Sequence, residues 1–178
     1  MRNPIWTGVL AATLIAGAQI AVAQEQEESS NRVAAKTDWS VFVEDDPKEC
    51  WGVSAPKETV NTKDGRVVAV RRGDILLFVT FRPGDSVAGE VSFTGGYPFA
   101  DGSTVSLQIG DASYELFTEG EWAWPATTGD DAKITTSLKR GAEAILTGRS
   151  ARGTVTKDTF SLLGFTAALE EAETRCAS

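Results

Sequence analysis

The sequence predicts a mainly β protein, folded as a single antiparallel β-sandwich with two short helices. Short apolar segments that alternate with period two recur along the chain, and turns containing Gly, Pro or Asp separate them. Helical periodicity is confined to two segments, near residues 129–140 and 164–174. The 178 residues contain no internal repeat and suffice for one domain of ordinary size.

The N-terminal residues predict export. Residues 1–23 combine a positive start at Arg2, an apolar segment and the small-x-small cleavage pattern Ala21-Val22-Ala23. We expect cleavage rather than retention as an anchor, because the apolar segment is shorter than a membrane span. Residues 24–36 are polar and acidic, which predicts a disordered leader. We assign the remaining residues, 37–178, to the β-sandwich domain.

The strands follow from alternation and from turn residues. The segment 74–82 is apolar on both faces, with Leu77 on one and Phe78 on the other, so we expect a central strand covered on both sides. Residues 55–66 are predicted to form a loop, and Gly110-Asp111 a hairpin turn. The predicted strands outside that hairpin are 37–44, 49–54, 67–70, 74–82, 87–94, 142–147 and 154–162.

The first helix has signals at both ends. Thr128 and Asp131 match a capping box, which satisfies free backbone N–H groups at a helix start. Lys139 and Arg140 suit the negative end of the helix dipole, and Gly141 ends the helix.

The cysteine in the second predicted helix indicates a disulfide. Its apolar stripe ends in Cys176, and the other cysteine of the chain is Cys50. Two cysteines in an exported protein usually pair. We therefore predict that Cys50 and Cys176 are bonded and tie the helix to the N-terminal strands, with a chain-entropy contribution of about 5 kcal/mol. The stripe comprises Phe165, Ala168, Leu169, Ala172 and Cys176.

Composition argues against most catalytic sites. The chain has no histidine, which excludes imidazole-based acid–base catalysis, histidine-activated nucleophiles and most zinc sites. The net charge of −8 disfavours nucleic acid and anionic membranes as partners. We predict no catalytic residues, no metal and no cofactor. A carboxylate hydrolase, the less favoured alternative, would need two acids from distant parts of the chain to converge in a cleft.

Two groups of residues form a candidate binding surface. Trp122 and Trp124 lie two apart on an extended segment and so share a face. If exposed, they could stack on a sugar ring or anchor a protein partner, whereas burial in the core is the alternative. Arg149 and Arg152 form a basic cluster that would suit an acidic groove on a partner, or would otherwise be a solvated hairpin tip.

The C-terminal part of the chain resembles the invasion-associated locus B family. The resemblance is carried by Trp124, by Lys139-Arg140-Gly141, by residues 147–154 (TGRSARGT) and by residues 158–165 (DTFSLLGF). It implies an exported bacterial envelope protein with an immunoglobulin-like β-sandwich and a link to host-cell invasion in some members. It implies no catalytic residues.

These observations predict a non-enzymatic protein of the periplasm or cell surface that acts through a protein partner of the envelope or of a host. The alternative is a module that binds glycan or peptidoglycan through Trp122 and Trp124.

Overall fold

The structure is a computed structural model that describes residues 31–177, so the predicted signal peptide and most of the leader lie outside it. The described residues form twelve strands, two α-helices and one short 3-10 turn at Pro83–Asp85. The strands are β1 (Arg32–Lys36), β2 (Trp39–Asp45), β3 (Lys48–Ser54), β4 (Glu58–Lys63), β5 (Arg66–Val67), β6 (Leu76–Arg82), β7 (Val87–Thr94), β8 (Thr104–Ile109), β9 (Ala112–Glu119), β10 (Trp122–Trp124), β11 (Glu143–Arg149) and β12 (Val155–Ser161). The helices are α1 (Thr128–Arg140) and α2 (Phe165–Cys176).

All strands belong to one antiparallel sheet, in the order β1-β2-β3-β6-β7-β10-β9-β8-β11-β12-β4-β5. Phe93 of β7 and Phe160 of β12 lie five positions apart in this order, yet their ring centroids are 6.1 Å apart. The indole N–H of Trp39 on β2 likewise donates to the backbone oxygen of Ser161 at 3.0 Å. The sheet therefore curls so that its two halves face each other, which confirms the mainly β, antiparallel sandwich prediction.

Helix α2 closes the core against β2 and β3. Its start depends on Gly164, which has a φ of 92° and lies so close to the chain of Lys36 that a Cβ atom would overlap the Lys36 backbone oxygen. At its far end, the sulfur atom of Cys176 lies 2.12 Å from that of the fully buried Cys50. The helix is therefore fixed to the N-terminal strands at both ends. Phe165 packs edge-on against Trp39 with centroids 5.0 Å apart.

Three segments differ from the sequence predictions. Arg32–Lys36, assigned to the disordered leader, forms edge strand β1 on β2. Glu58–Lys63, predicted as loop, forms β4 and pairs with β12. The predicted strand 67–70 is reduced to Arg66–Val67. In each case tertiary pairing, which local composition does not report, decides whether the segment is a strand.

The capping box lies one residue earlier than predicted. Thr127, not Thr128, is the N-cap: its hydroxyl accepts from the backbone N–H of Asp130 and donates to the Asp130 carboxylate at 2.8 Å. Asp131 is thereby released for another contact. It is buried, and its carboxylate accepts the backbone N–H of Val91 at 2.8 Å, which ties α1 to β7.

Candidate binding surface

Aromatic side chains line the outer face of the sheet. Alternation along each strand sends one residue into the core and its neighbour outward. On β10, for example, Ala123 is fully buried between the outward-pointing Trp122 and Trp124. We call the following set the outer aromatic surface: Phe42, Trp51, Phe78, Phe117, Trp122 and Trp124.

The prediction that both faces of the 74–82 strand are covered is wrong for Phe78. Leu77 is fully buried, whereas Phe78 is half-buried and contacts the exposed Trp122 at 5.6 Å between centroids. The outward apolar positions of β6 therefore belong to a surface rather than to a second core layer.

The two tryptophans form an accessible, nearly parallel pair. Their ring centroids are 6.3 Å apart and their planes differ by only 20°. Trp122 is 39% exposed and Trp124 is half-buried, so burial in the core, the alternative considered from the sequence, is wrong for this pair. Strand β10 holds them because it pairs with β7 on one side and β9 on the other. Phe117 of β9 extends the pair, at 5.6 Å from Trp124.

The tryptophan pair borders a surface cavity of about 440 Å³. Three of the four tryptophans within residues 31–177 line it, namely Trp51, Trp122 and Trp124. Trp51 is far from the other two in the sequence, so sequence spacing does not predict that they meet. Its floor is polar and comes from β3, β6 and β7. The lining residues are Glu49, Trp51, Phe78, Thr80, Arg82, Glu90, Ser92, Trp122 and Trp124.

Arg82 holds two carboxylates in the middle of this cavity. Its guanidinium donates to Glu49 at 3.2 Å and to Glu90 at 2.7 Å. Partial burial of the guanidinium by itself lowers the pKa of Arg82, but the hydrogen bonds to Glu90 and Glu49 outweigh it and raise that pKa above its ordinary value. Arg82 is therefore a permanent cation bound to two acids.

Glu49 and Glu90 come from distant parts of the chain and meet in a cleft, as a carboxylate hydrolase would require. The guanidinium of Arg82, however, fills the position between them, where a glycosidase holds the scissile bond. Asp45 and Asp130 lie elsewhere, and each is paired at the surface with a lysine, Lys48 and Lys133 respectively.

The arginines of the basic cluster do not line the cavity beside the tryptophans. Arg152 lines a second cavity of about 550 Å³, whose other lining residues include Arg71, Tyr97 and Glu121. Arg149 is exposed at the end of β11. The two tryptophans and Arg152 thus line two different cavities rather than one.

A buried ion pair beside the second cavity was not predicted from the sequence. Arg72 makes a two-pronged contact with Asp158, with both N–O distances at 2.7 Å, and also donates to the backbone oxygen of Gly95. Its guanidinium lies 5.0 Å from the centre of the Tyr97 ring. Burial raises the pKa of Tyr97. These contacts fix the segment before β6 against β12, a structural role.

Residues 31–177 have neither a candidate metal site nor a helix that could span a membrane. No group of three or more His, Cys, Asp or Glu side chains there could hold a metal ion. Nor does that part of the chain include a helix with the length and apolar character needed to cross a membrane.

Comparison with known proteins supports the fold. The sequence matches no family model and no curated protein. Among solved structures, the chain is similar to the crystal structure of invasion associated protein B from Bartonella henselae, with a TM-score of 0.55 and 18% sequence identity. The match covers 82% of this chain and 98% of that chain. Such a likeness shows a shared fold, and membership of the locus B family stays a prediction.

Proposed function

We propose that this chain is a non-enzymatic binding protein exported to the bacterial envelope, and that its ligand binds to the outer aromatic surface. The observation that carries the proposal is the accessible, nearly parallel pair of Trp122 and Trp124 beside a polar cavity. Exposed aromatic patches are unusual on soluble proteins and commonly mark interaction sites.

Export is supported by two independent features. The N-terminal sequence has the pattern of a secretory signal, and Cys50 and Cys176 lie at disulfide distance. Structural disulfides persist in oxidising compartments such as the periplasm and the cell surface. The name of the structural relative connects that protein with invasion, and a part in host-cell invasion is proposed for this chain on that likeness alone.

Two kinds of ligand suit the proposal: a protein of the envelope or host, and a glycan. A protein ligand is supported because tryptophan and arginine contribute most of the binding energy at many protein interfaces. The recessed cavity with a polar floor favours the glycan, because a sugar ring combines flat C–H faces with hydroxyl groups around its rim. Non-enzymatic action is supported by the position of Arg82 between Glu49 and Glu90.

Co-sedimentation with the native envelope tests the proposal. The mature protein is mixed with purified envelope, and its retention is compared with that of a Trp122→Ala/Trp124→Ala variant. We expect the variant to lose at least about tenfold in affinity, since interface aromatics contribute on the order of 2 kcal/mol each. Leu163→Ala is the matched control, because Leu163 is 62% exposed and lies outside this surface.

Equal retention of wild type and double variant would contradict the proposal. An Arg149→Ala/Arg152→Ala variant examines the basic cluster in the same assay. If the arginine variant loses retention and the tryptophan variant keeps it, the binding site would be assigned to the second cavity instead.

A further inference from the structure

We infer that the outer aromatic surface binds an uncharged, extended oligosaccharide that lies across the strands. The inference rests on the proposed function, since it specifies the ligand of the same surface. Four features of the described residues support it: the length of the aromatic row, two hydroxyls that face the cavity, two free carboxylate oxygens and the charge of the cavity.

The aromatic row is long enough for several sugar rings. It begins with Phe42 and Trp51, stacked at 5.6 Å with planes 7° apart on β2 and β3, and ends with Phe117 on β9. Strands β2, β3, β6, β7, β10 and β9 are consecutive in the sheet, so the row crosses five inter-strand spacings, about 24 Å in total. A chain-like ligand can use this whole length, whereas a single sugar would cover a fraction of it.

Two hydroxyls in the cavity floor have no protein partner. Thr80 and Ser92 are only 5% and 7% exposed, and neither hydroxyl forms a hydrogen bond with another residue in the described part of the chain. Within the described residues, the buried hydroxyl oxygens without a hydrogen bond are those of Ser103 and Thr135, so the oxygens of Thr80 and Ser92 are open to the cavity. Both hydroxyls line the cavity, where they can donate to and accept from a polar ligand.

The two carboxylates keep acceptor atoms available. Each contacts Arg82 through its Oε1 atom, and within residues 31–177 neither Oε2 atom accepts a hydrogen bond. Glu49 and Glu90 are about one-third exposed, at 33% and 29%, so ligand hydroxyls can reach them. Sugars supply O–H donors in abundance, which matches these acceptors.

The charge of the cavity selects against anionic chains. Glu49, Glu90 and Arg82 sum to one net negative charge, within a chain whose net charge is −8. A polymer of uronic acids or phosphates would meet repulsion from both the cavity and the whole molecule. The ligand expected here is an uncharged sugar chain.

Tryptophan fluorescence provides a direct test, because Trp51, Trp122 and Trp124 all line the cavity. The mature protein is titrated with the dimer, tetramer and hexamer of β-1,4-linked N-acetylglucosamine and with those of β-1,4-linked glucose. We expect a saturable change with one of the two series, with affinity rising at least about tenfold from dimer to hexamer. The hexamer of galacturonic acid, an anionic chain of similar length, should bind at least about tenfold more weakly.

A variant of the two hydroxyl residues tests the polar floor of the cavity. Thr80→Val/Ser92→Ala removes both hydroxyls and leaves every aromatic ring in place. Loss of two hydrogen bonds should weaken hexamer binding about tenfold, while Leu163→Ala should bind as the wild type does. Circular dichroism of each variant verifies that it is folded.

The outcomes separate this inference from the proposed function. No fluorescence change with either uncharged series, equal binding of the galacturonate hexamer, or unchanged binding by the Thr80/Ser92 variant would each overturn the inference. If envelope retention still depends on Trp122 and Trp124 and is abolished by protease treatment of the envelope, the ligand is a protein: the inference fails and the proposed function stands. If retention does not depend on the two tryptophans, both fail.

Discussion

The two faces of the same sheet use aromatic residues in opposite ways. On the inner face the rings are almost inaccessible and several meet edge-on, as Phe93 and Phe160 do with planes 88° apart. On the outer face Trp122 and Trp124 lie nearly parallel and accessible beside a polar cavity. A single-residue alternation along each strand separates the two sets. The inner cluster supplies stability, whereas the outer surface is available for binding.

The same contrast holds for arginine. Arg72 lies inside the protein, where its side chain is only 6% exposed. It is paired with one carboxylate, that of the fully buried Asp158. Arg82 is outside, 31% exposed, and shared between Glu49 and Glu90. Burial therefore decides whether an arginine contributes to the fold or remains accessible to a ligand.

The largest expected effect comes from a matched pair of phenylalanines. Phe160→Ala should lower the free energy of unfolding by about 3–5 kcal/mol, because it leaves a cavity in the inner cluster. Phe117 is 46% exposed, and Phe117→Ala should cost about 1 kcal/mol or less. Urea denaturation of both variants measures the difference. Equal losses would remove the distinction between the two faces.

A matched pair of arginines sharpens the comparison. Arg72→Met leaves the buried Asp158 carboxylate without its cation and should cost about 3–5 kcal/mol. Arg82→Met removes partly exposed ion pairs and should cost about 1 kcal/mol or less. The same denaturation assay compares them, and a larger loss for Arg82→Met would contradict the assignment of Arg72 as the structural arginine.

The disulfide should affect stability but not the outer surface. Cys50→Ala/Cys176→Ala should lower the free energy of unfolding by about 2–4 kcal/mol, because the bridge restricts a long loop of the unfolded chain and disulfides commonly contribute less than the full chain-entropy value of about 5 kcal/mol. Reductant added to the wild type should reproduce the loss. At a temperature where the variant stays folded, its envelope binding should equal that of the wild type. Loss of binding by the folded variant would show that the two faces are coupled.

The smallest effect concerns Asp131, under the strand that carries Glu90 and Ser92. Burial raises the pKa of Asp131, the hydrogen bond from Val91 opposes this, and the charges of Glu90 and Asp130 add to the rise. The pKa of Asp131 is therefore higher in the folded than in the unfolded protein. For such a group, the contribution to stability is complete below the unfolded pKa and is lost as pH rises through the folded pKa.

Asp131→Asn keeps an oxygen acceptor and removes the titration. The unfolding free energy of wild type minus variant should therefore increase as pH falls from about 7 to about 4, near the ordinary pKa of aspartate. A difference that is constant across this range would contradict the role of burial at Asp131.

Local chemistry in the sequence sufficed for the helices and for much of the sheet. Helix α2 was predicted from its apolar stripe, and the pairing of Cys50 with Cys176 from composition and predicted export. The capping box was placed one residue late because Thr127 and Thr128 are equally good caps, and only the backbone distinguishes them.

The site itself depended on topology. Trp122 and Trp124 were candidates from the sequence, but Trp51 and Phe78 join them because β3, β6, β7 and β10 become neighbours in the sheet. The contact of Arg82 with Glu49, 33 residues away in sequence, has no local signature. Long-range strand order, which sequence alternation does not encode, therefore assembles the cavity.

The most direct test of the outer surface is the affinity of the folded Trp122→Ala/Trp124→Ala variant for native envelope, measured beside the wild type and Leu163→Ala. The two faces as described predict at least about a tenfold loss for the tryptophan variant and none for the control. A folded tryptophan variant that binds as tightly as the wild type would contradict the assignment of the outer aromatic surface as the binding site.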